Sequence, residues 1–431
     1  MATPSPGAAL LTAVTPLVLF HVDYQPGVSL GSGTTDVDIL LSDVLIGVLA
    51  VVVAVRLARD GWGVLRPGLL LWALTAAFLT WIAVATVHPL LGGDYAFGEH
   101  AVTAAKYAEY AVIALAVPVL ARRGDERELL LAVVAGWGIL AAAVGLAQFA
   151  GLDVFDAWAP GRRQPSFLGH HDFAALSGAT FAVGASALVF QKHKLAAAAA
   201  CTGGAVGLLV SGSVAGLLGV LATLAVVGLV AVRRGDGLRT VAALAAGVAV
   251  TGLALVAFRG NDLDDFLRFT GILSAREETT ATGVETYSHR TLLAYLGLRL
   301  WADHPVVGAG WQASGEYDRI EPYLADARAR FPDVPDEAFP TPGRRYGVQN
   351  AYVQALADLG AVGGLLLAAL LGAAAWLGTR RALRGSWAAA AAAGIVLVAA
   401  AVLTAQGLVA ALALDTLTWL GIGLVAAEET A

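Results

Sequence analysis

Apolar runs of membrane-spanning length follow one another along most of the chain, separated by short charged joints. About ninety polar residues interrupt them between Arg259 and Gln349. A helix of about twenty apolar residues crosses a hydrocarbon core of about 30 Å. On that measure the sequence predicts spans near 8–22, 37–58, 67–88, 100–121, 128–150, 168–190, 195–210, 213–232, 239–258, 350–378, 387–406 and 408–427. The expected fold class is therefore an all-α polytopic membrane protein with about twelve transmembrane helices and one large extracytoplasmic loop. Nine helices fill 1–258, the loop fills 259–349, and three helices fill 350–431.

The joints alternate in charge, which sets the expected sidedness. Arg56, Arg59 and Arg66 share one side with Arg122, Arg123 and Arg127, with Lys192 and Lys194, with Arg233, Arg234 and Arg239, and with Arg380, Arg381 and Arg384. The intervening joints 23–36 and 89–99 carry no Lys or Arg. Basic joints stay in the cytoplasm. Both termini are then expected inside a cytoplasmic (inner) membrane and the 259–349 loop outside. Arg162 and Arg163 fall in an outer joint against this rule, so those two residues need another reason for their position.

Composition sharpens the class. Of 431 residues, 58% are hydrophobic and 14% charged, with a mean hydropathy of +0.72. A soluble enzyme needs about a quarter of its residues charged, so that class is excluded. The net charge of −6 is spread over loops on two faces and gives no reason to expect nucleic acid as a partner. Cys201 is the single cysteine, which rules out an intramolecular disulfide and a cysteine-rich metal site. The N-terminal MATPSPGAALL lacks a basic n-region and reads as a short tail before the first span. Gly lies mainly inside spans, where it favours close helix packing.

The loop contains TLLAYLGLRLWADHPVVGAGWQASGEYDRI, with helical apolar spacing at Leu292, Leu293, Leu296, Leu298 and Leu300. His304-Pro305 should end that helix and Gly308 and Gly310 should form the next turn. The loop closes with RYGVQNAYVQALADLGAVGG. In order and spacing, Arg290, Trp301, His304, Pro305, Gly308, Gly310, Asn350, Tyr352, Gln354, Asp358, Gly360 and Gly363 resemble the O-antigen ligase and polymerase superfamily of membrane glycosyltransferases. Asp43, Lys106, Tyr110 and the stretches AQFAGLDVFDAW and RRQPSFLGHHDFAALSG fit the same resemblance. It implies a GT-C-like helical fold and transfer of a glycan from a polyprenyl-pyrophosphate carrier to a glycan or lipid acceptor, with no cofactor.

Three positions depart from that pattern. Relatives carry Ser-Arg at the outer start of a mid-chain span, the Arg holding lipid pyrophosphate; here Ser213 is followed by Val214. Where relatives carry His before the Asn, this chain has Gln349, which takes no proton at neutral pH. Relatives usually carry Pro-Asn in place of His171-Asp172.

A departing pyrophosphate carries clustered negative charge, which guanidinium groups match with a planar fork of donors. Arg290 is the first candidate, with Arg162, Arg163, Arg344 and Arg345 next, and with Gln349, Asn350, Tyr352 and Trp301 as further substrate-binding candidates. For a base, Asp172, Glu285, Asp303, Glu316, Asp318, Asp358, His171, His289 and His304 remain open; His171, His289 and Asp172 join Arg290 as the catalytic candidates. His170, His171 and Asp172 are adjacent on a helix and point in different directions, so no metal site is expected. Structural roles stand beside these: Arg290 could snorkel, His304 could stop a helix, Asn350 and Tyr352 could cap and anchor a span, and Asp43 with Lys106 could form an ion pair within the membrane. Two other functions stay open, a transporter of inorganic ions or small solutes and a non-catalytic partner in envelope assembly.

Overall fold

Backbone polar groups have no water partner in hydrocarbon, so a chain this apolar closes its hydrogen bonds within helices. The computed structural model describes residues 3–31, 36–91, 97–235, 237–258, 287–332, 334–344, 346–409 and 413–427. Among them the chain is an all-α polytopic membrane protein. Nine helical segments are long and apolar enough to cross a bilayer. They are α2 (Leu41–Asp60), α3 (Leu69–Val87, extended by short 3-10 turns), α4 (Phe97–Leu120), α5 (Gly124–Phe149), α6 (His170–Val189), α7 (Lys194–Ser211), α8 (Val214–Arg234), α9 (Leu238–Phe258) and, after two loop helices, α12 (Ala351–Ala382).

Three further helices occupy predicted spans but are shorter: α1 (Pro6–Val18), α13 (Trp387–Val402) and α14 (Ala413–Ala427). At 1.5 Å per residue, the 13 residues of α1 reach about 20 Å, less than the hydrocarbon thickness. Hydropathy alone overestimates the ends of α1 and α13, because apolar residues continue past the point where those helices stop. The chain leaves α13 at Leu403, and the carbonyl of that residue accepts from Ala351 N. A second difference is a two-stranded antiparallel hairpin, β1 (Gly27–Gly31) and β2 (Asp36–Leu40), where the pattern predicted a joint and the start of a span.

α6 is the axis of the bundle: 94% of its most apolar window is buried, against α5, α7, α8, α13 and α14. Small residues let these helices approach closely; a Cβ at Gly204 of α7 would lie 2.6 Å from Ser177 O of α6.

The described part of the loop holds α10 (Tyr287–Asp303) and α11 (Tyr317–Arg330). Leu292, Leu293, Leu296 and Leu300 are buried as the spacing predicts, together with Tyr323, Leu324, Ala327 and Phe339. Leu298 is the exception at 41% exposed, because it sits off the stripe the other four define. Residues 259–286, including Glu285, lie outside the described residues, as does Arg345.

A backbone clasp joins the loop to the membrane helices. α12 breaks at Gly360, whose φ of +66° and ψ of −172° are non-helical. The carbonyls this frees are taken up at once. Ala309 N donates to Ala357 O at 2.9 Å, Gly310 N to Asp358 O at 3.0 Å and Trp81 Nε1 to Leu359 O at 2.8 Å. In return Ala361 N donates to Pro305 O at 2.8 Å. Gly308 and Gly360 cross without side chains because nothing else fits. A Cβ on Gly308 would lie 2.3 Å from Asp358 O, and one on Gly360 2.2 Å from Val306 O. The His304-Pro305…Gly308…Gly310 and Asp358…Gly360 motifs are thus two halves of one joint.

Candidate functional site

A cavity of about 350 Å³ opens where the N-terminal ends of α6, α8, α10 and α12 converge. Its basic side chains are Arg163, Arg290, His170 and His171; no Asp or Glu is among its described lining residues. Each part has a local reason to be there.

Arg163 belongs to the joint between α5 and α6, which two buried glutamines hold in shape. Gln148 donates from Nε2 to Val154 O (2.7 Å) and Ser166 O (3.1 Å) and accepts from Ser166 N (2.8 Å). Gln164 accepts from Trp158 N (2.9 Å) and donates to Ala159 O and Arg162 O. The Arg163 guanidinium lies over the Trp158 ring at 4.7 Å, and His170 packs against the same ring at 5.2 Å. The two arginines that broke the charge rule therefore part ways: Arg163 lines the cavity, and Arg162 is exposed outside it.

α7 ends at Gly212 in the left-handed region (φ +65°), and Ser213 caps α8 by accepting from Gly216 N at 3.1 Å. Ser211, Gly212 and Ser213 all line the cavity, so the place where relatives carry Ser-Arg faces it even though this chain supplies Val214. The joint between the predicted spans 195–210 and 213–232 falls at this turn, but the sequence does not mark Ser211 and Gly212 as lining residues. Thr291 and Thr404 are further lining residues that sequence reading missed, having no motif to mark them.

Arg290, in the first turn of α10, contacts Gln349 and His171. Its Nε donates to Gln349 Oε1 at 3.0 Å and its Nη2 meets His171 Nε2 at 2.9 Å. Guanidinium only donates, so His171 Nε2 is the acceptor and the ring proton sits on Nδ1. These two acceptors aim the guanidinium into the cavity, whose described lining holds no Asp or Glu. Asn350 closes that wall: its Oδ1 caps α12 by accepting from Tyr352 N and Val353 N, both at 3.1 Å, while Nδ2 donates to Thr404 O.

The remaining candidates lie elsewhere. Asp172 is buried and its Oδ1 accepts from Leu414 N at 2.7 Å, so it fastens α6 to the entry of α14 and does not line the cavity. His289 is buried against Tyr346, ring centroids 4.7 Å apart, on the face of α10 turned away from Arg290. Arg344 is exposed and donates to Glu337 O. Trp301 donates from Nε1 to Pro305 O at the end of α10. The Tyr352 hydroxyl donates to Ala400 O, an anchor between α12 and α13.

The other acids and His304 are engaged outside the cavity too. Glu316 meets His100 Nε2 at 2.7 Å. Asp358 accepts from Ser314 N and Gln354 Nε2 inside the clasp. Asp303 accepts from the Tyr323 hydroxyl at 2.5 Å. Burial, with the hydrogen bond to Asp303 and its charge, pushes that hydroxyl up to about 12, so Tyr323 stays a donor at neutral pH. Asp318 is exposed, and His304 stays at the end of α10 with Nδ1 3.2 Å from Leu300 O. Of the described base candidates, His171 alone lines the cavity. Asp43 and Lys106 form the expected ion pair at 3.1 Å, with Lys106 also donating to Asp38 O of the hairpin. Among the described residues no group of three or more His, Cys, Asp or Glu is placed to hold a metal.

Residues 196–368 match the family model described as O-Antigen ligase. The match is to an O-antigen ligase domain and supports the O-antigen ligase/polymerase family. Among curated proteins, none matches the chain. The O-antigen ligase domain begins in α7 and ends in α12, so it supplies Ser213, Arg290, Gln349 and Asn350. Arg163, His170, His171 and Thr404 come from outside it. The cavity is thus completed by residues outside the matched stretch.

Proposed function

We propose that this O-antigen ligase-like protein transfers a glycan from a polyprenyl-pyrophosphate donor to a glycan or lipid acceptor at the outer face of the cytoplasmic membrane. The observation that carries this reading is the Arg290 guanidinium, aimed by Gln349 and His171 into a cavity whose described lining holds a second arginine, Arg163, and no carboxylate. The bond from the anomeric carbon to the pyrophosphate oxygen breaks as the acceptor oxygen attacks that carbon. Arg290 and Arg163 stabilise the charge left on the pyrophosphate, a contribution of about 3–4 kcal/mol for a well-placed donor. An anion that draws Arg290 toward itself releases His171 Nε2, which then accepts the proton of the acceptor hydroxyl.

The clasp argues against the transporter alternative. Transporters use unwound helices whose carbonyls face the cargo, whereas the carbonyls freed at Gly360 are occupied by Ala309 N, Gly310 N and Trp81 Nε1.

Gln349→Glu tests the reading. It keeps the shape and the acceptor but places a carboxylate on Arg290, neutralising the charge that the donor pyrophosphate needs. Envelope glycan transfer in a deletion strain complemented with Gln349→Glu is expected to fall by at least about tenfold, while Gln349→His, a neutral acceptor, should retain it. Equal activity of the two variants would remove the charge argument, and an unchanged glycan profile after deletion would remove the transferase.

Sidedness has its own test. In an Asp318→Cys variant, a membrane-impermeant maleimide applied to intact cells is expected to label position 318, because that residue is exposed on the loop while Cys201 is buried. Labelling only after the cells are opened would place the loop inside.

A further inference from the structure

A second cavity, of about 180 Å³, lies at the other end of the bundle. α4 begins beside the loop, where His100 meets Glu316 and Thr103 accepts from Trp311 Nε1, and it ends at Leu120 in this cavity. Its 24 residues span about 36 Å, so the two cavities sit on opposite membrane faces.

Arg56 of α2 and Arg122 and Arg123 from the α4–α5 joint surround it, over walls that include Gly7, Val119 and Leu120. Two of the arginines are pinned by backbone. Arg122 donates from Nε to Val119 O at 3.1 Å and pairs with Asp60, and Arg123 donates from Nη2 to Thr3 O at 2.9 Å and pairs with Asp125. Glu126 is the one acid in the described lining, and its charge is shared between backbone amides and Arg123. It is 2% exposed, accepts from Ser5 N (2.9 Å) and Arg123 N (3.0 Å), and lies 3.4 Å from the Arg123 guanidinium. Three guanidinium groups thus border one hollow, two of them ion-paired at its rim, with Arg56 carrying no carboxylate partner among the described residues. On the same α2 helix Val48, Val51 and Val55 are exposed toward the surrounding membrane.

We propose that this cavity binds the phosphate of an anionic phospholipid headgroup, with the acyl chains lying along the exposed valines of α2. Arginine forks match phosphate oxygens, and basic hollows at the cytoplasmic end of a helix bundle recruit such headgroups. The site lies on the face opposite the proposed transfer chemistry and does not depend on it.

The test is native mass spectrometry of the purified full chain titrated with phosphatidylglycerol, with phosphatidylcholine and with inorganic phosphate. Phosphatidylglycerol is expected to bind most tightly, and Arg56→Gln to weaken it about fivefold, the factor that corresponds to about 1 kcal/mol per basic residue. Arg59→Gln serves as the control, since Arg59 carries the same charge on the same helix but does not line the cavity. Equal losses from the two variants, or no preference for the anionic lipid, would overturn the site. Comparable affinity for phosphate alone would overturn the lipid as its source.

Discussion

Replacing Arg290 by alanine is expected to cut glycan transfer by two to three orders of magnitude while the protein still folds. The first half follows from where the charge sits. Arg290 lines the larger cavity with Arg163, and the acceptors Gln349 and His171 aim its guanidinium there. Removing a preorganised donor aimed at developing negative charge costs about 3–4 kcal/mol of transition-state stabilisation, which is the stated loss in rate. The second half follows from packing, because the apolar stripe of α10 is made by Leu292, Leu293, Leu296 and Leu300 and does not include Arg290. Arg290→Lys separates charge from geometry. One ammonium cannot reproduce the fork that reaches Gln349 through Nε and His171 through Nη2, so lysine should recover only part of the loss. Measured on purified protein with a lipid-pyrophosphate glycan donor, activity should rank wild type, then lysine, then alanine, with the elution profile unchanged. Full activity in the alanine variant would reduce Arg290 to an interfacial residue.

Much of this arrangement was legible in the sequence, and what was not has physical causes. Hydropathy located the bundle because burial in lipid is a property of composition. It could not see where α1 and α13 stop, since helix ends there depend on partners far along the chain, as with the bond from Ala351 N to Leu403 O. The β1–β2 hairpin escaped for a similar reason: it depends on cross-strand pairing and carries no helical or spanning pattern.

The site shows the same division. Arg163, Arg290, His171, Gln349 and Asn350 were singled out as residue types, and the fold brings all five to one cavity. His289 neighbours Arg290 in sequence, yet adjacent residues on a helix face different ways, and it packs on Tyr346 instead. Asp172 neighbours His171 and serves the α14 entry for the same reason. Hydropathy places the break between spans 195–210 and 213–232, where α7 ends and α8 begins, but nothing in the sequence marks Ser211 and Gly212 as cavity residues. Exchange of chemistry between positions was also hidden. His171 and Gln349 come from different ends of the sequence, and only their shared guanidinium shows that they act on one group.

Gly360→Ala is expected to have the largest effect on folding, because two independent costs fall on one atom. With φ at +66° and ψ at −172° the residue occupies a region that is essentially restricted to glycine. A Cβ there would also lie 2.2 Å from Val306 O and 2.6 Å from Gly308 N, both backbone atoms that cannot rotate aside. Strain and overpacking together amount to about 3–5 kcal/mol. Relief would require the 305–310 segment to leave α12, breaking the bonds from Ala309 N, Gly310 N and Ala361 N and uncovering the unwound carbonyls at membrane depth. The loop would then lose its seat on α12, and with it the setting of Arg290 against Gln349. Gly372→Ala is the matched control: it lies on the same helix with nothing within 4 Å of the added methyl group, and alanine favours a helix by about 1 kcal/mol over glycine. In detergent, Gly360→Ala should lower both the melting temperature and the monodisperse yield, and Gly372→Ala should leave them unchanged or raised. If the two variants melted together, the crossing of Gly308 and Gly360 would not be what holds the loop to the membrane helices.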